Sequence, residues 1–327
     1  MKKVLCVLLV STILICTIFL ASCNNEKTTT SRTTTAKPHE HLYVAEVTRP
    51  TYTEQGYTTF TCECGDSYIS NYVKPSGNLE FALDTDAESY RVVGVGECSV
   101  AEIIIPNTYK GLPVTSIGEY AFSGKNFIIS ITIPDSVLVI DDGAFAACHL
   151  LERVTIGNSV TTIGENAFRF CEALESINLP DSVTKIGGAA FYNCIALKSI
   201  VIPKSVDTIE MGTFGNCTAL ESVTIPKGLK TIGAWAFQVC TSLETIVIPD
   251  TVTTIGQTAF SCCTSLTTVT IPNTITSCGE DIFKGCYAIT TINFEGSVDE
   301  WRNNGIFLPL HVRTADIYCD DGVIPKY

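Results

Sequence analysis

Histidine, methionine and tryptophan are scarce in this chain, at 4, 2 and 2 of 327 residues. Four imidazoles leave little material for a histidine-centred catalytic site. Basic residues are also short, with 21 Lys plus Arg against 34 Asp plus Glu and a formal charge of −13. Nucleic-acid binding depends on neutralising phosphates with Lys and Arg, so a nucleic-acid partner is excluded. Docking on anionic lipid through basic patches is excluded on the same ground. The chain has no P-loop, and Gly94-Val95-Gly96 is a lone G-x-G read as a turn. No nucleophile, base and orienting acid share a site, so the chain does not read as an enzyme. With aromatics at 9%, few rings are left for a deep sugar-stacking site. The 16 cysteines fall short of the ~8–10% density of small disulfide scaffolds.

What is present begins at the N-terminus. Lys2 and Lys3 precede an apolar run over residues 4–19, the pattern of a secretory signal. Leu20-Ala21-Ser22-Cys23 follows and resembles the bacterial lipobox. The resemblance implies a signal peptide over 1–22 and Cys23 as the first mature residue, carrying diacylglycerol on its thiol. An uncleaved anchor helix over the same run is the alternative. Both place the remainder outside the cytoplasmic membrane, with membrane contact through the anchor only. Residues 24–38 hold six threonines and no large apolar side chain, so 23–38 reads as a lipidated, solvated tether.

Residues 39–77 read as a small β-module. Tyr43, Val47, Tyr52, Tyr57, Thr59 and Thr61 are β-formers. Turns are expected at Gln55-Gly56 and at 62–66. Residues two apart on a strand share a face, so His39/His41 and Cys62/Cys64 each offer two ligands to one side. Two imidazoles and two thiolates suit tetrahedral zinc, giving a candidate structural zinc site in 39–66. Free or oxidised cysteines with two exposed histidines are the alternative. The stretch Gly56-Tyr57-Thr58-Thr59-Phe60-Thr61-Cys62-Glu63-Cys64-Gly65-Asp66 resembles a short repeat of secreted proteins from Gram-positive gut bacteria. Relatives carry a further cysteine where this chain has Tyr52.

Beyond this module the chain is periodic. Phe122, Phe145, Phe168, Phe191, Phe214, Phe237, Phe260 and Phe283 are 23 residues apart. Cysteine stands three residues after seven of them, with Lys125 in the first copy, and Leu or Ile stands six residues after all eight. An alternating apolar pair such as Val154/Ile156 follows, then Pro or Gly157, then a pair such as Val160/Ile163. The alternating pair predicts a strand with one buried face, ended by a proline that cannot donate to a ladder. Three-residue spacing in A-F-x-x-C-x-x-L predicts one turn of α- or 3₁₀-helix. One unit cannot bury its own face, so the units must stack and bury Phe on Phe and Cys on Cys. The fold class is therefore a repeat solenoid of about eight 23-residue units, and the cysteine column reads as core packing.

The run from Leu179-Pro180-Asp181-Ser182-Val183 to Ala190-Phe191-Tyr192-Asn193-Cys194 resembles the BspA-type leucine-rich repeats of bacterial surface proteins. The resemblance covers residues 79–320. It implies a capping hairpin over 78–105, a solenoid over 106–294 with an inserted loop at 108–113, and a C-terminal cap over 295–327. It also implies a surface lipoprotein acting in adhesion or protein binding. Polar residues flank the buried strand positions. Ser176, Ser199, Ser222, Thr245 and Thr268 form one row, and Asn178, Thr224 and Thr270 belong to the next. Such a hydroxyl-rich face suits an extended protein or glycan ligand. Trp235 replaces small or polar residues of other copies and is a candidate contact residue. The chain is expected to be monomeric. A structural envelope component without a specific ligand is the alternative function.

Overall fold

A computed structural model describes residues 19–21, 41–48, 56–63, 65–73, 79–303, 306, 308, 312 and 315–325. The chain divides into two compact units, Met1–Pro75 and Ser76–Tyr327.

The first unit is a four-stranded antiparallel sheet of Phe19–Ala21, His41–Thr48, Gly56–Cys62 and Ser67–Val73, in that order. Tyr43 stands opposite Cys62, and Thr61 opposite Ser67. Gly65 takes φ +88° in the turn after Cys62, a conformation that favours glycine. That turn is closed by Cys62 N–H on Asp66 O at 2.8 Å. The Tyr43 hydroxyl donates to Asp66 at 2.6 Å, and Phe60 stacks on Tyr68 at 4.8 Å.

The second unit is a solenoid of about ten turns. Its rungs run in parallel register, with Ser130 opposite Arg153, Ser199 opposite Ser222, Thr245 opposite Thr268 and Thr291 opposite Asp316. A second short strand per coil makes another parallel ladder, such as Thr208–Ile209, Thr231–Ile232 and Thr254–Ile255. All eight phenylalanines of the 23-residue series are fully buried. Successive rings stack with centroids 5.0–5.6 Å apart and planes within 21° of parallel. Each ring removed from water contributes ~1.5–3 kcal/mol of hydrophobic stabilisation. Glycine recurs where successive coils approach most closely. A Cβ at Gly233 would stand 2.7 Å from the backbone carbon of Glu210 in the preceding coil.

The helical turn expected at A-F-x-x-C is absent, and helix content is minimal. In every coil the residues two before and two after the phenylalanine have positive φ, as at Asn166 (54°) and Phe170 (60°) around Phe168. Right-handed helix requires negative φ at each residue, so two left-handed residues four apart prevent it. The freed N–H groups bond between coils instead. Gly143, Phe145 and Ala147 donate to Glu165, Ala167 and Arg169 at 2.7–2.8 Å. The segment is thus another ladder along the stack, built from turns.

Both ends are closed by pairing. Glu80–Leu83 and Tyr90–Gly94 form an antiparallel hairpin whose second strand pairs parallel to Leu112–Ile117. The insertion at 108–113 folds back as a small hairpin, with Thr108 opposite Pro113, and Tyr109 stacks on Phe81 at 4.2 Å. At the far end Val298–Asn303 is the one α-helix among the described residues. A capping box starts it. Glu300 accepts from Ser297 N–H at 2.7 Å, and its own N–H donates to Ser297 Oγ at 3.2 Å. Phe294 meets Trp301 edge-on at 5.1 Å, and the last two strands, Asp316–Cys319 and Gly322–Ile324, pair antiparallel.

Candidate binding faces

The rung strands alternate, so every second side chain points away from the core. Ser176, Asn178, Ser199, Ser222, Thr224 and Thr245 are exposed there, and Thr268 and Thr270 are half-buried. Parallel pairing places like residues beside each other, with Ser199 next to Ser222 and Val201 next to Thr224. Val201 and Val247 interrupt the second row and are each 62% exposed. An acidic margin borders this surface. Glu152, Glu175, Glu221 and Glu244 occupy one column, and Lys198 in that column pairs with Glu175 at 2.7 Å. The same 23-residue arithmetic, applied one position after the leucine column, would have found this margin.

Trp235 does not belong to the strand surface. It lies in the turn segment, two residues before Phe237, with φ +59° and 39% exposure. It lines a groove of about 490 Å³ together with Arg169, Ala189, Tyr192, Met211, Gly212 and Gln238. The side chains that meet there come from four successive coils. No single column shows the groove, which is why the periodic pattern conceals it.

The cysteine column is packing material with a defined polar role. Cys148, Cys171, Cys194, Cys217, Cys240, Cys263 and Cys286 are all buried and free of disulfides. Each thiol donates to the carbonyl of the preceding coil's phenylalanine, as from Cys194 to Phe168 at 3.2 Å. That carbonyl also accepts Cys171 N–H at 3.1 Å, so both of its lone pairs are used. Burial pushes Cys148 and Cys217 up to about 12 and holds Cys171, Cys194 and Cys240 well above the usual thiol range. Cys263 and Cys286 form a linked pair, whose shared hydrogen bond raises the first thiol, together with burial, and lowers the second. A protonated, enclosed thiol is neither nucleophile nor metal ligand.

Of the four candidate zinc ligands, His39 and Cys64 lie outside the described residues, as does Cys23. His41 opens its strand opposite Ala21, and Cys62 is buried opposite Tyr43. Among the described residues no three His, Cys, Asp or Glu side chains group to hold a metal. Nor is any described helix long and apolar enough to cross a membrane.

Residues 96–218 and 184–307 match the family model described as BspA type leucine rich repeat region, in six copies. A solved leucine-rich repeat protein of T. pallidum is 23% identical, over 71% of this chain and 96% of its own, with a TM-score of 0.51. One from Bacteroides ovatus is 28% identical, over 69% of this chain and 71% of its own, with a TM-score of 0.47. No curated protein matches the sequence. The family's solenoid is typically a non-enzymatic, surface-exposed binding scaffold. In-register phenylalanine, cysteine and leucine columns, and a family match across two thirds of the length, lead to one conclusion: the chain belongs to the BspA-type leucine-rich repeat family.

Proposed function

We propose that this chain is a lipid-anchored protein held outside the cytoplasmic membrane, where its strand face binds a protein or glycan partner. Cys23 carries the lipid in this reading. Two or three acyl chains, at ~0.8 kcal/mol per buried methylene, give firm anchoring. The family match supports a binding role. The observation that carries the reading is the exposed strand surface, with its rows of hydroxyl and amide side chains repeated in register from coil to coil. Such rows offer hydrogen-bond donors and acceptors at a fixed pitch of ~4.8 Å, which suits an extended partner. The partner makes its polar contacts to Ser199, Ser222, Thr224 and Thr245, and the glutamate margin repels acidic competitors.

The test has two arms. Fatty-acid labelling of the full chain should be lost in Cys23→Ser; persisting label overturns the anchor. The full chain should bind saturably to a member of a panel of immobilised extracellular-matrix proteins and glycans. Ser199→Glu with Ser222→Glu should abolish that binding and leave the melting curve unchanged. Absence of saturable binding, or binding indifferent to these charges, overturns the strand-face role.

A further inference from the structure

The turn-side groove collects side chains that the repeat does not call for. The column one after each phenylalanine holds Ser123, Ala146, Ser261 and Lys284 in four coils, but Arg169, Tyr192 and Gln238 at the groove. The column two before the phenylalanine dips to Ala189 and Gly212 between Asn166 and Trp235, which opens a notch with an indole as its wall. A Cβ at Gly212 would meet only ordinary contacts, at 3.9 and 4.0 Å, so a side chain there enters the notch without a clash at its first carbon. Gly215 serves the opposite purpose. A Cβ there would stand 2.9 Å from the Tyr192 ring, so glycine lets that ring settle into place.

Arg169 sets the chemistry. Of the four described arginines, Arg91, Arg153 and Arg302 each face a carboxylate. The Arg169 guanidinium instead lies over the rings of Phe170 and Tyr192, at 4.8 and 5.4 Å; its Nη1 donates to the Asn166 amide oxygen at 3.5 Å, and its Nε is buried without a hydrogen-bond partner. In a chain with a formal charge of −13, a guanidinium held by rings and kept off carboxylates is positioned for a carboxylate from outside. Across the groove the half-exposed Trp235 offers a flat apolar face, and Gln238 offers an amide. A ligand matching all three carries an apolar ring face, hydroxyl groups and one carboxylate.

We propose that this groove binds a carboxylated sugar, with its ring stacked on Trp235 and its carboxylate paired with Arg169. The ligand class covers hexuronates and sialic-acid-type sugars. The site rests on the reading of the chain as a displayed binding protein, and it lies on the turn segments, apart from the strand surface.

The test is calorimetric titration of the detergent-solubilised full chain with sialyllactose, with an oligogalacturonate and with lactose as the neutral counterpart. At least one acidic sugar should bind saturably and about tenfold more tightly than lactose, the size of one charge-assisted pair. Gly212→Asn fills the notch and should abolish binding without unfolding, because Asn166 holds the same column position at φ 54°. Trp235→Ala should abolish binding too, and Arg169→Gln should erase the preference for acid over neutral sugar. Absence of saturable binding by either acidic sugar overturns the proposal, as does equal affinity for lactose or binding unchanged in Gly212→Asn. The strand-face assay is run on the same preparations. Partner binding without sugar binding overturns the groove alone, and sugar binding without partner binding overturns the strand-face reading alone.

Discussion

The two sides of the solenoid are stabilised in different ways. On the strand side the backbone is in ordinary extended geometry, and the rungs pair residue for residue. Outward side chains there are interchangeable, and Ser, Thr, Asn, Arg and Val all occur. On the turn side the backbone is left-handed at two positions in every coil, many of them not glycine, including Trp235, Val239 and Phe170. Left-handed conformation costs ~1–2 kcal/mol at a residue with a Cβ. It persists because, in the coils of Phe122 through Phe260, each such residue donates its N–H to the next coil, as Val239 does to Ser261 at 2.8 Å. Regularity therefore comes cheaply on the strand side and is enforced by the stack on the turn side. The core between them, made of phenylalanine rings and protonated thiols, holds both.

The strongest challenge to this contrast is alkali, because it attacks the shared core. The thiols of Cys148, Cys171, Cys194, Cys217 and Cys240 are raised by burial from their ordinary value of 9.0. They stay protonated in the fold and ionise on unfolding. Unfolding therefore releases protons above pH 9, and stability is intact below pH 9 and lost as pH rises toward about 12. Each thiol contributes a slope of about 1.4 kcal/mol per pH unit, so these five erase a typical domain's stability within about a unit or two. Circular dichroism against pH should show cooperative unfolding in this window. Replacing Cys171 and Cys194 by Ala should flatten the slope.

Next in size, Phe191→Ala should cost ~3–5 kcal/mol in chemical denaturation, whereas Ser199→Ala on the strand face should stay within ~0.5 kcal/mol. Equal costs would erase the distinction between core and face. Gly233→Ala should cost ~1–3 kcal/mol by wedging the coils apart, visible as a lowered melting temperature. The smallest effect is a gain. Val239→Asn replaces a β-branched left-handed residue with the type found at Asn193 and Asn216 in the same column. It should raise stability by ~0.5–1 kcal/mol. A loss there would mean that Val239 packing outweighs its backbone strain.

The stack was legible because a buried column accepts one kind of side chain. Phe at 122 through 283, and the thiols three residues later, announce both the period and the interior. The turn geometry was not legible, and the expected helical turn was wrong. The left-handed columns take Gly, Asn, Ala, Thr, Asp, Tyr and Trp alike, since backbone bonds between coils hold them rather than side-chain type. Trp235 stood out as a departure from the repeat. Its neighbours Arg169, Tyr192 and Gln238 share the column after the phenylalanine and Met211 lies in another, and the fold brings these two columns together beside Trp235.

The central claim is that 23 residues make one complete coil, with every column kept in register. The most direct measurement is the thermal unfolding of two deletion variants of the full chain. Removing residues 181–203 takes out one coil and joins Pro180 to Lys204, leaving the order of the repeat intact. Removing residues 181–200 takes out three fewer and throws every later column out of line. The account predicts a cooperative melt for the first and loss of the solenoid for the second. Equal damage from both would contradict it.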